Sequence, residues 1–255
     1  MSIRNSTDAD LAEVGRWLKA EHERDGEGFW NNLNIIEGAH AKGRLFVLPD
    51  EVTDLPIGFI ANGEDGPDVL AVRTDRRGES VGRRLAQHMI QMFTDQDEVS
   101  VIELQCEPET SIPFWRKMGF THYRSQGRDR AYRVVEKTWP VDPDAPVVDV
   151  RIAFFPESAK CRPDTEPLLV VTAKAVWETE FSIGLTKRVV FHTGTRSGAN
   201  DTVVSITVDG VELYKDKAKY ERANDLGVEA DSYAYYLDEV VVTEEEIASA
   251  RAATA

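Results

Sequence analysis

The sequence predicts a chain in two parts: a mixed α/β domain over residues 1–140, then a mostly β domain over residues 147–255. Strand-like and helix-like stretches alternate through the first part, the pattern of a mixed sheet covered by helices. From about residue 147 onward, valine- and threonine-rich runs read almost entirely as strands. Between the two, Trp139-Pro140-Val141-Asp142-Pro143-Asp144-Ala145-Pro146 sets prolines where neither a helix nor a central strand continues, so residues 141–146 read as a linker. At 255 residues the chain is long enough for two modest domains, each burying its own core.

In the first part, residues 2–5 read as a strand. Thr7 or Asp8 then caps a helix with Leu11, Val14 and Leu18 on one face. A second helical stretch covers about 29–39. Strands near 44–48 and 56–62 are joined by Pro49-Asp50-Glu51-Val52-Thr53-Asp54, which has the composition of a hairpin turn. A strand over 68–73, a helix over 81–94, a strand over 99–105, a short helix over 110–118 and strands over 120–125 and 130–138 complete the domain. In the second part Val204, Ile206 and Val208 alternate with polar residues, Asp209-Gly210 supplies a two-residue turn, and Val211 with Leu213 resumes the alternation. Runs over 147–155, 168–181 and 186–193 add strands, so a β-sandwich or barrel is the economical expectation. The tail from Thr243 reads as a short helix.

Composition narrows the function classes. Acidic residues outnumber basic ones 45 to 30, for a net charge of −15. This balance argues against a nucleic-acid partner and favours a cationic or amine-bearing one. No apolar run approaches the roughly twenty residues that span a bilayer, and the first residues lack a secretory apolar stretch, so a cytoplasmic protein without membrane contact is expected. His22, His40, His88, His122 and His192 show no paired ligand spacing, and Cys106 and Cys161 stand alone, so no metal site is expected.

The most informative segment follows the apolar strand Asp68-Val69-Leu70-Ala71-Val72. There Arg77-Gly78-Glu79-Ser80-Val81-Gly82-Arg83 forms a basic, glycine-punctuated turn opening into a helix with Leu85, Ala86, Met89, Ile90 and Phe93 on its inward face. The unpaired N–H groups of such a helix's first turn, together with its dipole, bind a diphosphate. About thirty residues later, the strand Val99 to Gln105 leads to Ser111-Ile112-Pro113-Phe114-Trp115-Arg116-Lys117-Met118-Gly119-Phe120. In order and spacing the two blocks resemble the GCN5-related N-acetyltransferase (GNAT) family over residues 1–140. The resemblance implies a mixed acetyltransferase sheet with flanking helices and acetyl-CoA as co-substrate. It also implies a diphosphate on the backbone of Gly78 to Arg83, with Arg77 beside it, and a pantetheine arm along Leu70, Ala71 and Val72. The acceptor would be an amine of a small molecule or peptide, with residues 19–43, including Phe29, Trp30 and Asn31, shaping its pocket. Ser80 replaces the family's middle glycine.

Amine acylation needs a route for the amine proton and tolerates a donor to the departing thiolate. Asp68, near the family's glutamate, is the leading general base, with Glu103 in reserve; each equally fits an exposed carboxylate on a strand. The family's thiolate-protonating tyrosine is replaced by Trp115, leaving Tyr123, His122 or unaided departure as substitutes. Gly78-Glu79-Ser80-Val81-Gly82 also satisfies the nucleophile-elbow pattern of hydrolases, but the strand–helix units that would follow with an acid and a histidine are missing. A second class of reading is a noncatalytic acyl-CoA-binding sensor whose C-terminal β-domain binds a partner. That domain, with Tyr233, Tyr235 and Tyr236, offers a homodimer contact, an acceptor-site cover or a protein-recognition surface, and core packing is the preferred role for the tyrosines.

Overall fold

The computed structural model describes residues 2–26, 28–64, 66–140, 144–162, 164–194, 202–231 and 233–254. The chain divides into two compact units, Met1–Arg133 and Val134–Ala255.

The first unit runs β1 (Arg4–Asn5), α1 (Asp8–Asp25), α2 (Leu33–Ala41), β2 (Leu45–Pro49), β3 (Pro56–Asn62), β4 (Pro67–Val72), α3 (Val81–Thr94), β5 (Val101–Gln105), α4 (Ile112–Lys117), β6 (Thr121–Ser125) and β7 (Arg128–Val134). Thr7 caps α1 in a reciprocal box: its hydroxyl accepts from the Asp10 N–H, while the buried Asp10 carboxylate accepts from the Thr7 N–H and pairs with Arg4. The helix expected over 29–39 starts later, at Leu33, because Trp30–Asn32 turns more tightly as a 3-10 helix.

Strands β1 to β4 form an antiparallel sheet in chain order, whereas β5, β7 and β6 form a separate three-stranded sheet. Val14, Trp17 and Leu18 of α1 and Ile36 and Ala39 of α2 bury one face of the first sheet against Val47, Phe59, Val69 and Ala71. Helix α3 covers the other face with Leu85, Ala86, Met89 and Phe93. Gly58 permits that approach: a Cβ there would lie 2.7 Å from Val81 Cγ1. Helix α4 covers the second sheet on the face of Ala131 and Arg133, since Arg133 Nη1 donates to the carbonyl of Met118 at the end of α4 (2.6 Å).

The second unit contains β8 (Val147–Pro156), β9 (Leu169–Thr179), β10 (Ser182–His192), β11 (Thr202–Val208), β12 (Val211–Lys217), α5 (Glu221–Asp225), β13 (Glu229–Ala230), β14 (Ala234–Val241) and α6 (Glu244–Thr254). Its strands form one antiparallel sheet in the order β12-β11-β8-β9-β10-β14-β13. The sheet curls so that Val150, Ile152, Leu185, Ile206 and Leu237 share one core, closed by Ala223 and Ile247. The β11–β12 turn has φ of 46° at Asp209 and 81° at Gly210, the left-handed pair that a two-residue hairpin requires. Tyr235 and Tyr236 are both buried, on opposite faces of β14, so they do not form an exposed aromatic patch.

The units divide at Arg133, ahead of the proline-rich stretch, because the intervening segment is bonded to β10. Arg188 N–H donates to the Lys137 carbonyl (2.9 Å) and Trp139 N–H to that of Thr186 (3.2 Å). These bonds fill the irregularity in β10 between Gly184 and Val189, where its pairing with β14 shifts. Residues 141–143 of the expected linker lie outside the described residues. Among the described residues no helix is long and apolar enough to cross a membrane.

Candidate active site

The loop after β4 is held by two other elements and by an ion pair within itself. Glu21 of α1 accepts from the Thr74 N–H (2.7 Å). Arg76 reaches Asp50 in the β2–β3 turn (2.5 Å) and Glu79 (2.9 Å). The Asp50 carboxyl sits well below the usual carboxylate range because Arg76 and the N–H groups of Thr53 and Val52 donate to it. Pairing with Arg76 also draws the Glu79 charge aside from the loop's centre, leaving the neighbouring Arg77 and Arg83 exposed. Arg77 Nε lies 3.4 Å from the carbonyl of Val72.

Gly78 adopts φ of 86° and Ser80 φ of 65°, after which α3 begins at Val81. The intrahelical ladder starts with Arg84 N–H bonding to Ser80 carbonyl, so the N–H groups of Val81, Gly82 and Arg83 have no acceptor within the helix. That is the donor set a diphosphate requires. Ser80 occupies a left-handed conformation that an L-residue reaches at a cost of about 1 kcal/mol. Its side chain makes no capping bond to offset this. Ser80→Gly is therefore expected to stabilise the chain by roughly 0.5–1 kcal/mol, after allowing for glycine's greater freedom when unfolded. Urea denaturation checks this.

Leu70, Ala71 and Val72 lie on β4. Among the described strands, β4 pairs with β3 alone and β5 with β7 alone. The two come together where Gly66 sits against the Glu103 backbone, since a Cβ on Gly66 would lie 2.0 Å from the Glu103 carbonyl oxygen. Beyond that junction the main-chain edge of β4 is free of a partner among the described strands, next to the first turn of α3. Gly82 lies between Val72 and Phe114, with 3.5 Å and 3.7 Å from an added Cβ to their side chains.

The three catalytic candidates do not converge. Asp68 alternates with Val69 and Ala71 and therefore shares the face of Val72, on which α3 packs. Its carboxylate lies against Gly63. Although Asp68 is exposed by surface area, the protein around it raises its carboxyl above the usual range, with Lys42 and Arg44 opposing the rise. Glu103 and Tyr123, by contrast, meet: the Tyr123 hydroxyl donates to Glu103, and Arg130 Nη1 lies 3.5 Å from the same carboxylate oxygen. Glu103 is buried, and burial together with the Glu103 charge lifts the Tyr123 phenol well above its ordinary value.

Arg130 is not legible as a site residue in the sequence, because it meets Glu103 and Tyr123 only through the β5-β7-β6 arrangement. Trp115 is buried, with ring centroids 4.9 Å from Phe114 and 5.3 Å from Phe120, so this position packs the core. His122 binds Asp129 (2.8 Å). Burial and the carboxylates of Asp129 and Glu103 push the Cys106 thiol up to about 11.

Residues 41–122 match the family model described as the acetyltransferase (GNAT) domain. Comparison with curated protein sequences found no match. Among solved structures, the chain is similar to an acetyltransferase from Thermus thermophilus at 14% identity and TM-score 0.39, covering 52% of this chain and 96% of that one. A GNAT-family acetyltransferase from Staphylococcus aureus aligns at 12% identity and TM-score 0.43, over 52% and 98%. A ribosomal-protein-alanine N-acetyltransferase from Brucella melitensis aligns at 19% identity and TM-score 0.38, over 52% and 97%. Within the N-terminal unit, residues 41–122 thus carry the match to the acetyltransferase (GNAT) domain.

Proposed function

We propose that the protein transfers an acetyl group from acetyl-CoA to a primary amine of a small molecule or peptide. The observation that carries this reading is the cradle at the start of α3, whose unpaired N–H groups open beside the free edge of β4. Val81, Gly82 and Arg83 would hold the diphosphate with Arg77 nearby, and the main chain of Leu70 to Val72 would hold the pantetheine arm. The amine nitrogen bonds to the thioester carbonyl carbon, the carbon–sulfur bond breaks, and sulfur leaves as thiolate. Tyr123, half-buried in front of Glu103, accepts the amine proton while its own passes to the Glu103 carboxylate. The thiolate is only modestly basic and takes its proton from water.

A noncatalytic acyl-CoA-binding sensor is the second reading, favoured by the packing of Trp115 and by the Tyr123 hydroxyl being already engaged as a donor to the Glu103 carboxylate. Release of CoA thiol from acetyl-CoA across an amine panel separates the two: amine-dependent release supports the transferase, and binding without release supports the sensor. Glu103→Gln is expected to lower kcat by about 100-fold, the scale of a lost proton acceptor. Asp68→Asn, on the other face, should change it less than about threefold, a shift too small for the loss of a general base. The reverse pattern would move the base to Asp68.

A further inference from the structure

On the face of the β5-β7-β6 sheet opposite α4, the charged residues are Glu103, Arg128 and Arg130. Tyr123 and Tyr132 stand beside them with ring centroids 5.9 Å apart. The face therefore carries two guanidinium groups against one carboxylate, in a chain of net charge −15. Glu103 does not present its charge outward: its side chain is 3% exposed, whereas that of Arg130 is 29% exposed. Arg130 Nη1 makes a 3.5 Å ion-pair contact with that carboxylate, which keeps the guanidinium near the sheet face, and a partly exposed guanidinium is suited to a planar, bidentate anion. Arg128, two residues away on the same face, is exposed and reaches Gln105 (3.4 Å), adding positive charge without closing the face. Glu107, just past β5, accepts from the same Gln105 and sets a second carboxylate at the Arg128 end, so the face is balanced in charge within a chain that is strongly acidic as a whole.

Resting on the acetyltransferase reading, we infer that Arg130 selects the acceptor by binding a carboxylate next to the amine, so that the acceptor class is a free amino acid and not a polyamine. Glu103 is then a positioning residue for Arg130 as well as the sink behind Tyr123. A site built to bond a charged group rejects analogues that lack it, so replacing the acceptor's carboxylate by a primary amide should weaken binding about tenfold or more.

The test uses the full chain with CoA present. Saturation-transfer NMR compares the common L-amino acids, their primary amides and spermidine, and thioester cleavage is measured on the same compounds. At least one amino acid is expected to bind about tenfold or more tightly than its amide. Arg130→Ala should remove that discrimination while leaving acetyl-CoA affinity unchanged, which also reports an intact fold, and Arg130→Lys should restore part of it. Equal binding of acid and amide by the wild type, preference for spermidine, or discrimination retained by Arg130→Ala would each overturn the inference. Discrimination without CoA release would keep the role of Arg130 and sink the transferase reading. Release with spermidine but not with amino acids would do the opposite.

Discussion

Gly82→Trp is expected to raise the dissociation constant for acetyl-CoA at least about 100-fold, roughly 2.7 kcal/mol, while the chain remains folded. Gly82 contributes one of the first-turn N–H groups of α3, and its missing side chain faces Val72 on β4 and Phe114 on α4. In the proposed binding mode, an indole there would fill the space through which the diphosphate reaches the backbone. Gly82→Ala is the control: its methyl meets Val72 and Phe114 at ordinary contact distances, so it should keep affinity within a few-fold. Isothermal titration with circular dichroism on the same samples makes the comparison. Unchanged affinity in a folded Gly82→Trp variant would place the diphosphate elsewhere.

The second large effect belongs to stability and to the C-terminal unit. Arg188 is buried, with Nε and Nη2 bonded to the two Asp238 oxygens at 2.7 and 2.5 Å and its guanidinium 4.4 Å from the centre of the Tyr236 ring. Arg188→Met keeps the apolar stem but leaves Asp238 without its partner, a loss of about 3 kcal/mol, since removing one member of such a pair exposes the full desolvation cost of the other. Asp238 is itself partly solvated, with 29% side-chain exposure, which holds the effect at the lower end of that class. Urea denaturation followed by tryptophan fluorescence checks this; a change below about 1 kcal/mol would mean that solvent screens the pair as it does at a surface.

What is legible in the sequence is local. The strand–loop–helix around Arg77 to Gly82 combines glycines with a clean 3.6-residue apolar period, and Asp209-Gly210 fits a turn whose two central residues must both have positive φ. Single-strand alternation is less informative for Glu103. Flanked by Ile102 and Leu104, it looks like the solvent face of a strand, yet Tyr123 and Arg130, brought in by strand pairing, bury it. The same non-local pairing hides the separation of β4 from β5, which depends on Gly66 meeting the Glu103 backbone far along the chain. Alternation does separate Asp68 from the Val69 and Ala71 face, but only the packing of α3 shows which side that is. In the second unit, β14 escapes a reading by alternation because Tyr235 and Tyr236 are both buried, so its pattern has no polar face to alternate with.

The central claim is that the start of α3 is an acyl-CoA cradle, and calorimetric titration of the full chain with acetyl-CoA tests it most directly. A single site with micromolar affinity, lost in Gly82→Trp and kept in Ser80→Gly, is the predicted result. No binding to a folded sample at millimolar acetyl-CoA would contradict it.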